Sequence, residues 1–268
     1  MVLRALRALA LAALLLAAAL PCRAGQKRYV SLAPSITETA YALGMGRLLA
    51  GTPEFSNHPP EALELPRVGS YFNPNLEKIL ALKPDGCLAL KDSTPPATLE
   101  RLRALGIDVF LFRGQTMEEL ARSFRELGEF MGAPEQGRRA SARFLERIDA
   151  VRARTEGRPR PRVLCMVQSS PMIIAGKNTF IGHAIRAAGG EPVAPGSTQW
   201  THISLEQAAG LRPDIILALD HGRMPKKNLK TALPRNTRIF RVDPDLLGRP
   251  SPKLADAVVF LANLFHPY

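Results

Sequence analysis

NLEKILALKPDGCLAL, residues 75–90, recurs as SLEQAAGLRPDIILAL at residues 204–219. The offset is constant, Leu76 to Leu205, Glu77 to Glu206, Pro84 to Pro213, Asp85 to Asp214 and Leu88 to Leu217. Each copy reads as a short helix, a Pro-Asp turn and an apolar strand. A supersecondary unit repeated at this distance predicts two similar lobes, and two lobes leave a cleft in which a ligand sits.

The flanking pattern agrees. In the first half, strand-like runs at 28–34, 48–53, 86–90 and 107–112 alternate with helical stretches at 37–43, 76–82, 99–105 and 117–131. Ser35 is a candidate cap for the first of those helices. Such alternation predicts an α/β fold, a parallel sheet with helices on both faces. From Pro134 to Thr155 the only breaker is Gly137, and Ala140, Phe144, Ile148 and Val151 share one helical face. That is one amphipathic helix roughly 30 Å long. A second series begins with RVLCMV at 162–167 and continues through a helix at 179–188, the repeat, TRIFRV at 237–242 and a last helix over 253–265. The expected organisation is two similar Rossmann-like lobes, residues 25–133 and 158–268, joined by one long helix over 134–157. Helix hydrogen bonds are cooperative, so such a joint resists bending.

Residues 1–24 stand outside this pattern. Arg4 and Arg7 precede an uncharged run from Ala8 to Leu20, and Cys22 and Ala24 place small residues before Gly25. That is the form of a secretory signal peptide cleaved near Ala24, with lipidation of Cys22 as the rival. Cleavage would remove three arginines and lower the formal charge from +12 to +9. Nine arginines between Arg138 and Arg162 carry most of the excess. With no aromatic interleaving they read as a solvated helix face rather than a nucleic-acid surface. Cys87 and Cys165 fall in apolar runs of different lobes and read as buried free thiols.

Segments spread along the chain, SLAPSITETAYALG (31–44), NHPPEA (57–62), NLEKILALKPD (75–85), AGKNTFIG (175–182), ISLEQ (203–207) and DPDLLGRPSP (243–252), resemble the helical-backbone class of periplasmic binding proteins. These serve ABC importers of cobalamin, haem and iron-siderophores, and the cobalamin branch is the nearer likeness. The resemblance implies a monomeric periplasmic protein that needs no cofactor or metal of its own. It would hand a corrinoid to an inner-membrane permease dimer. In that family one surface glutamate per lobe docks on permease arginines, which maps to Glu77 and Glu206; the plainer reading is a helix-start carboxylate facing the macrodipole. Ligand contacts map to Pro34, Ser35, Phe55, Tyr71, Phe72, Trp200, Asp245 and Arg249. Flat aromatic faces suit a broad, partly apolar corrin. Asp245 and Arg249 would meet ligand amides or pair with each other at i, i+4. Leu90 and Val167 stand where relatives carry bulkier residues, and His58 where tyrosine is common. His202 and His221 are candidate axial ligands for a haem or cobalt. The alternatives are a haem or ferric-siderophore carrier of the same class and an exported hydrolase, although no nucleophile elbow or H-E-x-x-H spacing occurs.

Overall fold

The computed structural model describes residues 27–91, 93–196, 199–219 and 233–267. The first unit runs β1 (Tyr29–Ser31), α1 (Pro34–Ala42), β2 (Leu49–Gly51), α2 (Leu76–Ala81), β3 (Gly86–Leu90), α3 (Pro96–Ala104), β4 (Asp108–Phe112) and α4 (Met117–Phe130). Its four strands form a wholly parallel sheet in the order β2-β1-β3-β4. The linking helix α5 (Pro134–Thr155) follows. The second unit runs β5 (Arg162–Ser169), β6 (Met172–Ala175), α6 (Phe180–Ala187), β7 (Glu191–Pro192), β8 (Trp200–His202), α7 (Leu205–Gly210), β9 (Ile215–Ala218), β10 (Arg238–Arg241), α8 (Pro244–Leu247) and α9 (Leu254–Phe265). Its sheet has the order β10-β9-β5-β6-β8, with β7 beside the start of β5.

Both copies of the repeat do the same structural work, each in its own sheet. Asn75 and Ser204 are N-caps, accepting from the amides of Lys78 and Gln207. Such a cap supplies one of the partners that the first-turn amides lack. Lys83 and Arg212 both take φ of 47°, the left-handed turn that ends each helix. Asp85 accepts the Arg28 amide at 2.7 Å, and Asp214 accepts the Arg162 amide at 2.8 Å. The repeated Pro-Asp thus pins the start of each central strand to its neighbour.

Two details differ from the sequence expectation. The second sheet is mixed, because β5 turns back through Pro171 to form the antiparallel β5-β6-β8 edge; a tight reversal needs only a few residues, so no helix is interposed. Ser35 does not cap α1. Ala33 holds the N-cap position without a side-chain bond and Pro34 opens the helix, a position where its missing N–H costs nothing.

The linking helix buries Phe144, Ile148 and Val151, three of the four residues on its expected apolar face, while Ala140 is half-buried. Phe144 meets Phe124 of α4 edge-on at 5.3 Å between centroids. Each such side chain contributes about 1.5–3 kcal/mol on leaving water. Gly137 is explained by the α4–α5 crossing. A Cβ there would lie 2.8 Å from the Phe124 carbonyl oxygen, and one on Gly128 would lie 2.8 Å from the Gly137 Cα. Among the described residues, five of the nine arginines in the basic stripe are held by the protein's own acids: Arg138 and Arg139 by Glu135, Arg147 by Asp256, Arg152 by Glu118 and Asp149, and Arg162 by Glu191. Among the described residues no helix is long and apolar enough to cross a membrane. Cys87 and Cys165 are buried free thiols.

Candidate functional site at the strand ends

The segments that follow the strands of one sheet meet those of the other. Asp245 and Arg249, beyond β10, reach Asn57 and His58, beyond β2. Pro250 packs near Gly114, beyond β4. The carboxyl ends of parallel strands are where open α/β sheets carry their ligand sites.

Three large apolar rings stand exposed, Phe55 at 72% beyond β2, Phe72 at 62% ahead of α2 and Trp200 at 47% at the start of β8. Isolated exposed aromatics are ordinary, and a contiguous exposed apolar patch is what marks a surface for a partner. Phe55 adopts φ of 65°, a conformation costly for a bulky side chain and one that clusters at functional sites. Tyr71 lies against Phe72 with 3.6 Å between ring centroids and the planes tilted by 37°, and burial pushes its phenol up from the ordinary range. Trp200 meets Phe180 edge-on at 6.2 Å. It opens the edge strand β8 and does not sit in an irregular loop, and its backbone is paired with Ala175.

The other expected contacts divide. Pro34 is half-buried at the start of α1, and Ser35 is 3% exposed, with its carbonyl accepting the Thr39 hydroxyl. Asp245 and Arg249 do pair, at 2.7 Å. Arg249 also donates to the Phe55 carbonyl at 3.1 Å, to Asn57 Oδ1 at 2.8 Å and to Glu38 at 2.5 Å. His58 lies 3.2 Å from Asp245. Glu38, on α1, is the residue that sequence reasoning passed over; a lone acid amid SITETAYA (35–42) was its only signal. His202 is exposed at the end of β8, and His221 lies outside the described residues.

Glu77 and Glu206 are exposed, each the second residue of its helix. Neither belongs to an ion pair among the described residues. Hydrogen bonds from Ser204 and the Glu206 amide hold the Glu206 carboxyl below the usual range. A separate groove of about 640 Å³ lies at the far end of the linking helix, between Arg152, Arg158, His183 and Arg186. It is not formed by the strand-end loops. No group of three or more His, Cys, Asp and Glu able to hold a metal occurs among the described residues.

The arrangement of two α/β units and one linking helix can be set beside known proteins. Residues 30–239 match the sequence model for periplasmic binding proteins. The chain belongs to the periplasmic binding protein family. It is therefore a binding protein and not an enzyme. A curated relative is the vitamin B12-binding protein of Vibrio cholerae serotype O1, 31% identical over 238 residues, or 87% of this chain and 86% of that one. The crystal structure of the periplasmic vitamin B12 binding protein BtuF of Vibrio cholerae superposes with a TM-score of 0.82 at 30% identity, covering 89% of this chain and 96% of that one. The periplasmic heme-binding protein RhuT of Roseiflexus, in its apo form, gives 0.78 at 28%, covering 90% and 100%.

Proposed function

We propose that this protein captures cobalamin or a related corrinoid between its lobes in the periplasm and delivers it to an ABC importer. The observation that carries the reading is the set of three exposed rings, Phe55, Phe72 and Trp200, in a chain similar to vitamin B12-binding proteins. A flat, partly apolar ligand gains most from rings that are already desolvated on one side and held by neighbours, as Phe72 is by Tyr71 and Trp200 by Phe180. Polar arms of the ligand would find Asp245, Asn57 and His58 at the rim. Pro34 contributes an apolar edge. Ser35, being buried, would act through the backbone at its end of α1. The lobes 25–133 and 158–268 serve as jaws, and the signal peptide of residues 1–24 is removed on export.

Glu77 and Glu206 are the docking carboxylates in this account. Both are solvent-facing and free of ion pairs among the described residues, and the repeat gives them equivalent places in the sequence of the two lobes. Charge-assisted pairs with permease arginines would orient the monomer on the permease dimer more than tighten it.

Calorimetric titration of the mature chain with cyanocobalamin, haemin and a ferric siderophore separates the ligand classes. Saturable one-to-one binding of cyanocobalamin is expected, with no measurable siderophore binding. Haemin binding without cobalamin binding would transfer the assignment to haem, with His202 as the first axial candidate. Replacing Glu77 and Glu206 together by Ala should leave that titration unchanged and abolish uptake. A collapse in ligand affinity would remove both from the docking role.

A further inference from the structure

Arg249 is one of the residues that tie the two lobes, and the four partners of its side chain among the described residues are not equivalent. Asp245, Asn57 and the Phe55 carbonyl all draw on Nη2, at the exposed rim. Glu38 takes Nη1 from inside, and its side chain is only 4% exposed. Its other oxygen, Oε2, is buried without a hydrogen-bond partner among the described residues. A ligand group can replace Asp245 or Asn57 on Arg249, since water reaches those groups. It cannot replace Glu38 without leaving a carboxylate buried and uncompensated, which is the most costly way to break such a pair. Arg249 is therefore held in place by Glu38 whatever occupies the cleft.

The consequence runs outward through the guanidinium. The fork that Glu38 fixes at Nη1 fixes Nη2 as well, because guanidinium is planar and rigid. Nη2 in turn holds the carbonyl of Phe55, the residue at φ of 65° whose ring is 72% exposed. Without that bond nothing described across the cleft grips the backbone of Phe55, and a bulky residue relaxes from positive φ. The Asn57 amide bonds back to the same carbonyl at 3.0 Å, so the 55–57 turn would loosen as a unit.

We propose that Glu38 is a positioning residue of the cleft: acting through Arg249, it holds the Phe55 turn in the shape that receives the ligand. The proposal rests on the cleft being the ligand site, but its first test needs no ligand. Amide hydrogen exchange of the ligand-free mature protein is compared for wild type, Glu38→Gln, Arg249→Lys and the double variant. Arg249→Lys keeps a cation beside Glu38 and loses the fork, so it reports on the turn even if Glu38→Gln folds poorly. Amides of Ser56 and Asn57 are expected to exchange at least about tenfold faster in each single variant, with the double variant no faster than the singles, as coupled residues behave. Amides of β3 should keep their wild-type rates. Unchanged exchange at 56–57, or equal acceleration across the whole first sheet, would overturn the proposal. In the second arm, Glu38→Gln is expected to bind cyanocobalamin about tenfold more weakly, through faster release; unchanged binding would also overturn it. If the wild type binds no cobalamin, the ligand assignment fails, while the exchange arm still decides the role of Glu38.

Discussion

At the scale of single residues, the site is built from groups whose environment opposes their ordinary preference. Trp200 is half exposed, Phe55 sits at positive φ, and Glu38 is buried beside one arginine. Trp200→Ala should weaken cobalamin binding by about tenfold or more, since a central aromatic anchor contributes above 1 kcal/mol; calorimetry reads it directly. The cysteines mark the opposite case, residues that fit their surroundings. Burial pushes the Cys87 thiol up to about 12 and raises Cys165 as well, so neither forms the thiolate that reacts. The mature chain should show no reaction with an aromatic disulfide reagent at pH 8, and two thiols after denaturation. Phe55, Tyr71, Phe72 and Trp200 stand out in the sequence through the family resemblance, and the structure adds that Phe55, Phe72 and Trp200 are exposed. Glu38 does not stand out, because its partner lies 211 residues away and nothing local distinguishes a buried acid from one on a helix surface.

At the scale of elements, the linking helix shows what periodicity can and cannot supply. Its ends, Pro134 and Thr155, were readable from the breakers around it. Its crossing with α4 was not, since Gly137 looked like a weak point and is instead a contact. Alanine normally favours a helix over glycine by about 1 kcal/mol. Here Gly137→Ala or Gly128→Ala would drive a methyl against backbone atoms under 3 Å away, and overpacking of that kind costs about 1–3 kcal/mol. Both variants should therefore melt several degrees below wild type. The pair Glu118–Arg152 ties α4 to the same helix at 2.8 Å. Burial raises the Glu118 carboxyl, but its hydrogen bonds and charge contact with Arg152 outweigh that and hold it below 4.5. A carboxylate depressed in the folded state stabilises above its unfolded pKa and loses that contribution as pH falls through the folded value. Glu118→Gln should thus lower the melting temperature at pH 7, with the difference from wild type vanishing well below pH 4.5. The antiparallel edge β5-β6-β8 escaped the sequence reading because the short runs at 172–175 and 200–202 are below the length at which alternation is visible.

At the scale of the whole molecule, the duplicated unit, the continuous joint and the cross-cleft contacts of Arg249 all limit relative motion of the lobes. Bending would have to break cooperative helix hydrogen bonds or slide the glycine crossing. Small-angle scattering of the mature protein should give the same radius of gyration with and without ligand, where a wide hinge closure would reduce it. Trp200 is the only tryptophan in the chain, so emission excited beyond the tyrosine absorption reports on Trp200 alone. Titration of the mature protein with cyanocobalamin, corrected against free tryptophan for light absorbed by the ligand, is the most direct test of the account. Quenching that saturates at one equivalent is predicted. Quenching no greater than that of free tryptophan would contradict it.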